Sequence, residues 1–290
     1  MSSSASVRLL FSIVAVLCLY IAPTVALSSS AAGGTKVAVF GGTGFVGSAV
    51  CERLAKKGYD VVAVSRRGVN PKPGDKYLDQ VTWVKGDATD KATVKKIVQD
   101  VDAVVHSIGL LFDVESGLGN LNTIVSGSGS LPGDESTYDN ITRKTMFNVI
   151  EAMEAKQNFF SKNKQPALCF VSCAESGWPD VALGSQVENN LAPDWLKKYL
   201  IAKRAVEARM NESKAIRPVI YRPSLIWNWK KLDVLPVIPV FNLASAIGVP
   251  FVDKTVRVET LADAIVAGVE DSEVSGVQRF FKMEQLAKQV

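Results

Sequence analysis

From residue 36 onward, short apolar runs alternate with longer stretches of helical periodicity. The runs at 36–40, 60–65, 81–85, 102–107, 167–172 and 218–222 are rich in Val, Ile and Ala. Runs of that length and composition predict strands covered on both faces. Helical patterns lie between them, near 44–57, 90–99, 137–160 and 193–212. Strands alternating with helices at this spacing predict an α/β domain with a doubly wound parallel sheet. Residues 111–137 interrupt the rhythm with a long stretch rich in glycine and serine. Two readings stay open there. One is a lid, because loops at the carboxyl ends of parallel strands border the crevice. The other is a disordered insertion.

The first 34 residues do not share this pattern. Arg8 is their only charged side chain, residues 9–22 form a nearly continuous apolar run, and Pro23-Thr24-Val25-Ala26 follows. Those are the three regions of a secretory signal, with small residues where a signal peptidase reads. A membrane anchor is the alternative, since 9–27 is just long enough to span. A mitochondrial presequence should carry several arginines, and this stretch has one. Ser-rich sequence with no acid before Glu52 comes next. In composition this resembles the two-part leader of algae whose plastids lie inside an ER-derived membrane. The expected organisation is therefore a targeting leader at 1–34 and one domain at 35–290, with substrate or cap elements from about 224–290. The expected location is an organelle, plastid first and mitochondrion as the alternative.

Composition adds limits. The 290 residues are 47% hydrophobic and 21% charged, which suits one α/β domain with a sizeable core. A net charge of +4, from 33 basic and 29 acidic side chains, is too balanced for a nucleic-acid binder. Cys18 lies in the leader, leaving Cys51, Cys169 and Cys173, which read as small core hydrophobes in a reducing compartment. No cluster of metal ligands is apparent, because His106 is the only histidine.

The chemistry begins at the first strand. Lys36-Val-Ala-Val-Phe runs into Gly41, Gly42, Thr43, Gly44, Phe45, Val46 and Gly47, and a helical pattern follows. Glycines let the backbone turn sharply and let a phosphate approach with no Cβ in the way. The start of the following helix then faces the anion. A dinucleotide pyrophosphate site is the expectation, and an ordinary glycine-rich βα turn the alternative. The second strand ends in Ser65-Arg66-Arg67-Gly68, with no carboxylate to hold a ribose 2′-hydroxyl. Two guanidinium groups suit a 2′-phosphate, so NADP(H) is expected over NAD(H); a solvated basic turn is the other reading. At the end of the fourth strand Ser107 and Ile108 bring backbone close to the ribose, while His106 reads as a packed, hydrogen-bonded strand residue.

Tyr199 and Lys203 are four apart on a predicted helix and share one face. A phenol is a poor acid–base at neutral pH, and a nearby ammonium stabilises its phenolate. The ammonium can also hold a nicotinamide ribose. Ser172 closes the fifth strand, where a hydroxyl can orient a substrate carbonyl.

Together these pieces resemble a short-chain dehydrogenase/reductase of the atypical or extended kind, over about residues 36–270. The matching parts are Gly41–Gly47, Asp87, 106–109, the stretch from Tyr138 to Asn148, Ser172, Tyr199 with Lys203, and Arg222-Pro223-Ser224. The resemblance implies an NAD(P)-binding Rossmann fold. It implies that Asp87, followed by Ala88, accepts a bond from the adenine amino group; capping the next helix is the competing role, open also to Thr89 or Asp90. It implies that the loop at Pro223 touches the nicotinamide. The segments "VFGGTGFVG", "SRRG" and "YRPSLIW" resemble the branch with the Rossmann-type accessory subunit of respiratory complex I and the oxidoreductase-like proteins of ubiquinone biosynthesis. Ser172 and Tyr199 stand farther apart than in ordinary members, so 174–192 should loop out. Residues 226–243 are apolar and broken by prolines; they suit a pocket for a lipophilic substrate, a membrane or partner contact, or a cap on the core. The expected activity is NADPH-dependent reduction of a quinone-like or lipophilic carbonyl. The alternative is a non-catalytic NADPH-binding accessory protein of a respiratory or quinone-related complex. Epimerase or dehydratase chemistry comes third.

Overall fold

The computed structural model describes residues 34–122, 133–160, 165–229 and 236–290. The leader, most of the glycine-rich part of the 111–137 stretch and residues 230–235 of the apolar segment lie outside the described residues.

The predicted strands form where the apolar runs stand: β1 (Lys36–Phe40), β2 (Asp60–Ser65), β3 (Thr82–Lys85), β4 (Ala103–His106), β5 (Ala167–Val171) and β6 (Arg217–Tyr221). With β9 (Gly276–Gln278) they make one sheet in the order β3-β2-β1-β4-β5-β6-β9. Every neighbouring pair in it is parallel. The helices are α1 (Phe45–Lys56), α2 (Lys91–Val98), α3 (Thr145–Phe160), α4 (Gly184–Leu191), α5 (Asp194–Glu212), α6 (Ile238–Ala246), α7 (Val258–Glu270) and α8 (Phe280–Ala287).

Side-chain alternation along each strand builds two cores. Val37 and Val39 join Leu54 of α1 and Leu261 and Ile265 of α7 on one face. Ala38 and Phe40 join Val94 of α2, Ile150 of α3 and Val206 of α5 on the other. Apolar residues on both faces are what continuous runs mean, as against the alternation of a half-exposed strand. The chain runs outward from β1 to β3, then returns to place β4 on the other side of β1. That reversal opens a crevice at the carboxyl ends of β1 and β4, the place where such sheets bind ligands.

Much of the C-terminal region belongs to the core. Leu261, Ala262 and Ile265 of α7 and Met283 and Leu286 of α8 are fully buried. What stands apart is a two-stranded parallel ribbon, β7 (Ile226–Trp227) with β8 (Val256–Arg257), and helix α6. The 174–192 stretch leaves the sheet as expected, but it is folded: a 3₁₀ segment at Ala174–Asp180 precedes α4. Arg204 of α5 ties it down with two 2.7 Å bonds to Glu188 and one to the Ser176 carbonyl. Among the described residues no helix is long and apolar enough to cross a membrane.

Candidate active site

The first wall of the crevice is backbone. Gly41 has φ +86°, and a Cβ there would meet Ile108 N at 2.9 Å. At Gly47 a Cβ would fall 2.2 Å from the Gly41 carbonyl oxygen, so α1 packs on its own turn only because this residue is glycine. Gly44 is the N-cap, in extended conformation with no side-chain cap, and the first turn carries no acid. The positive end of the α1 dipole is thus directed at the crevice with no acid in its own first turn. Ser107 locks the other side, its hydroxyl donating to the Phe40 carbonyl at 3.0 Å.

These loops surround a cavity of about 590 Å³. Gly41, Thr43, Gly44, Arg66, Arg67, Asp87, Ala88, Ser107 and Ile108 line it. Phe45, Val46, Gly47, Lys203 and Pro223 do not line it. Val46 packs on the core, and Gly47 acts from behind by permitting the turn. Sequence reasoning passed over Ser136, Ile141 and Thr145, which close the cavity from the segment opening α3. The signal for Ile141 and Thr145 was the 138–148 stretch, which carries a π-helical turn at Asp139–Lys144.

The adenine and phosphate end is positioned by local bonds. Asp90 caps α2, accepting from the amides of Ala92 and Thr93. Asp87 is thereby left at the cavity edge, one carboxylate oxygen holding the Thr89 amide and hydroxyl, each at 2.8 Å. Asn148 of α3 clamps that loop by donating to the Ala88 and Thr89 carbonyls, both at 3.0 Å. Arg66 and Arg67 are exposed, and Arg67 reaches the Thr43 carbonyl at 3.3 Å, bridging the two phosphate-side loops. A dinucleotide suits this donor set: a side-chain-free turn, a helix start and two guanidinium groups around a cavity whose lining has one carboxylate, Asp87.

The far end is built by side chains of α5. Tyr199, Lys203 and Glu207 are spaced by four and form one stripe. Lys203 is 2% exposed and donates to the Val171 carbonyl at 2.8 Å. Its nitrogen lies 4.7 Å from the Phe170 ring centre and 5.4 Å from that of Tyr199. A side chain starting at Gly109, which lines the cavity, would come within 3.9 Å of that nitrogen, so Lys203 stands at the cavity's inner end. Burial pulls the ammonium down to about 8, against the opposing pull of Cys173 and Glu207. Tyr199 is half-buried with the Tyr138 ring edge-on at 5.5 Å. Burial raises its phenol well above the usual range, and Cys173, Glu175 and Tyr138 add to the effect.

Ser172 is bonded to the third member of the stripe. It is buried and donates to Glu207 at 2.5 Å, and Glu207 pairs with Arg222 at 2.5 Å. The Pro223 carbonyl accepts from the Ala174 amide at 2.8 Å, holding two loops together. Cys173, the next residue, is buried with its sulfur 3.2 Å from the Ser176 hydroxyl. Cys51 and Cys169 are fully buried in the core, as read from the sequence. His106 is the packed strand residue expected, 0% exposed and 3.0 Å from the Thr145 hydroxyl. Burial, then the Lys203 charge, pull its imidazole down to about 3.

The NAD dependent epimerase/dehydratase family matches residues 37–226, the span from the glycine turn through α5 to β7. The chain belongs to that family. Among its relatives, MIOREX complex component 2 of Saccharomyces cerevisiae is 26% identical over 67% of this chain and 73% of its own length. An uncharacterized chloroplastic protein of Arabidopsis thaliana is 28% identical over 87% of this chain and 76% of its own. The 2-alkyl-3-oxoalkanoate reductase of Shewanella oneidensis is 27% identical over 73% of this chain and 50% of its own. In fold the chain is similar to Bordetella bronchiseptica WbmF solved with NAD+, with TM-score 0.54, 20% identity, and 90% and 78% of the two chains covered. It is likewise similar to an ElxO variant with NADPH bound, with TM-score 0.57, 14% identity, and 84% and 96% covered. The family's NAD(P) dependence agrees with the cavity and its glycine turn.

Proposed function

We propose that the protein is an NADPH-dependent reductase of a lipophilic or quinone-like carbonyl compound. The observation that carries this reading is the pairing of Tyr199 with Lys203, whose ammonium lies behind Gly109 of the cavity that Arg66 and Arg67 also line. Bound NADPH supplies the hydride. The two arginines select the 2′-phosphate by charge-assisted bonds. Tyr199 gives its proton to the carbonyl oxygen as the hydride reaches the carbon, and Lys203 stabilises the phenolate left behind. The aliphatic substrate class rests on α6, where Val240, Leu243 and Ile247 are 65%, 64% and 73% exposed, with Trp229 at 67% nearby in sequence. An apolar surface of that kind favours an alkyl chain or a membrane edge. The name of the oxoalkanoate reductase points to the same chemistry.

A second reading has its own support. The yeast relative is named as a complex component, and the same exposed face of α6 suits a protein partner. There the cofactor stabilises an accessory or assembly protein. The relatives' chloroplastic and complex-component names favour an organelle, reached through the leader. N-terminal sequencing of the native protein should then find a start near Leu27; an intact 9–27 segment in membranes would mean an anchor. The deciding assay is NADPH oxidation across a panel of quinones and alkyl ketones. Turnover that Tyr199→Phe abolishes supports the reductase; tight NADPH binding with no turnover of any panel member supports the accessory protein.

A further inference from the structure

We propose that helix α6 is a membrane-docking face: it lies on an anionic bilayer, and the cleft behind it receives lipid headgroups. The residues of α6, Ile238–Ala246, include no charged side chain, and none of them is buried. A helix that apolar is ordinarily covered. Val237, Val240, Leu243 and Ile247 recur at intervals of three and four and are all exposed, so they form one outward stripe. The opposite side is pinned: the Asn242 side-chain oxygen accepts from the Thr255 amide and hydroxyl, each at 3.1 Å. No residue of α6 lines the cofactor cavity, so the stripe is not its wall. A second copy of the chain is a poor occupant too. A helix of nine residues spans about 14 Å, and a ridge of that length covers well under the roughly 800 Å² per partner of a standard interface.

The cleft supplies the charge. Asn242 and Ala246, on the side of α6 away from the stripe, line a second cavity of about 420 Å³. Its other walls include Trp227, Phe280, Lys254, Arg257 and Glu284, so two cations stand against one carboxylate. Lys254 lies over the Phe280 ring at 5.8 Å, and Arg257 forms a part-exposed pair with Glu259 at 3.3 Å. The Trp227 indole N–H is buried with no hydrogen-bond partner, and a buried donor calls for an acceptor. Trp229, which is exposed, stands edge-on to Trp227 with ring centres 5.1 Å apart. Indoles suit the level where headgroups meet acyl chains. An interfacial helix sinks its apolar face about 5–10 Å into that boundary, and a helix is itself about 10 Å across. With the stripe among the acyl chains, the cleft on its other side stands at the height of the phosphates. The stripe and the cations therefore fit one surface together, a bilayer carrying anionic phosphate headgroups. The inference goes beyond the reductase reading and stands without it, because the cleft shares no residue with the cofactor cavity.

The test is co-sedimentation of the full chain with vesicles of phosphatidylcholine, with or without phosphatidylglycerol, beside hydrogen exchange read by mass spectrometry. Wild type should sediment with the anionic vesicles, and those vesicles should slow exchange across 236–250. Val240→Ser combined with Leu243→Ser, at two exposed positions, should weaken that partition by about tenfold or more. Lys254→Gln should weaken it by about fivefold on anionic vesicles, the worth of one lysine near such a surface, and change nothing on phosphatidylcholine alone. Residues 1–34 are common to all these proteins, so binding through the leader would respond to neither variant. Partition that the double variant leaves intact, or exchange in 236–250 that vesicles do not slow, overturns the proposal. Concentration-dependent self-association that the double variant abolishes, without vesicle binding, gives the stripe to a second copy and overturns it too. Inorganic phosphate that slows exchange around the cleft, with no partition onto vesicles, gives the cleft to a free anion and does the same. Should the double variant fail to fold, the exchange map and the lost anion preference of Lys254→Gln decide.

Discussion

At its outer end the crevice has a wall of backbone beside two arginines, and its inner end is made of side chains. At the outer end Gly41, Gly44 and Gly47 leave room by having no Cβ, and the start of α1 faces the cavity. At the inner end Tyr199 and Lys203 are placed by the docking of α5 on the end of β5. A backbone site tolerates change in its neighbours provided the glycines stay. A side-chain site stands on whatever holds its members in place, and here that is the buried Ser172–Glu207–Arg222 chain of bonds. The two ends should therefore fail differently.

The largest expected effect is on that support. Glu207 and Arg222 have side chains 6% and 13% exposed. Glu207→Ala leaves the largely buried guanidinium only its 3.4 Å ion pair with the exposed Asp180 and should cost about 3 kcal/mol in urea unfolding. If the loss is below about 1 kcal/mol, the pair behaves as a surface ion pair and the inner end does not depend on it. Next is the chemistry. Tyr199→Phe keeps the ring and its packing on Tyr138, so NADPH affinity should hold while turnover falls by roughly 10²-fold, about 2.7 kcal/mol. Equal turnover in the two proteins removes Tyr199 from the proton path.

A third prediction concerns His106, in the strand between the two ends. Its folded value is depressed to about 3 from an ordinary 6.5, so below 6.5 the unfolded chain binds the proton and the folded chain does not. Stability is full above 6.5 and is lost as pH falls toward 3, by about 2 kcal/mol at pH 5. Thermal melts at pH 7 and 5 should show this drop in wild type and a smaller one in His106→Gln; parallel drops would assign acid sensitivity elsewhere. The smallest effect is at the outer end. NADPH should bind about tenfold better than NADH, or 1.4 kcal/mol, and Arg66→Ala with Arg67→Ala should erase the difference in fluorescence titrations. A preference that survives the double variant would place 2′-phosphate recognition elsewhere in the cavity.

The parallel sheet was readable because continuous apolar runs admit one solution, burial on both faces between helices, and six of its strands stand where the runs do. The seventh, β9, is three residues long with Val277 41% exposed, too short and too polar to make a run. The glycine turn, Arg66, Arg67, Asp87 and Ser107 were readable as cavity residues because each stands at the end of a predicted strand. The spacing of Tyr199 and Lys203 was readable because helix geometry fixes which residues share a face. What surrounds that pair was not. Only the docking of α5 against the end of β5 brings Glu207 to both Ser172 and Arg222 and seats the Lys203 ammonium on the Val171 carbonyl, because these contacts join residues far apart in the chain.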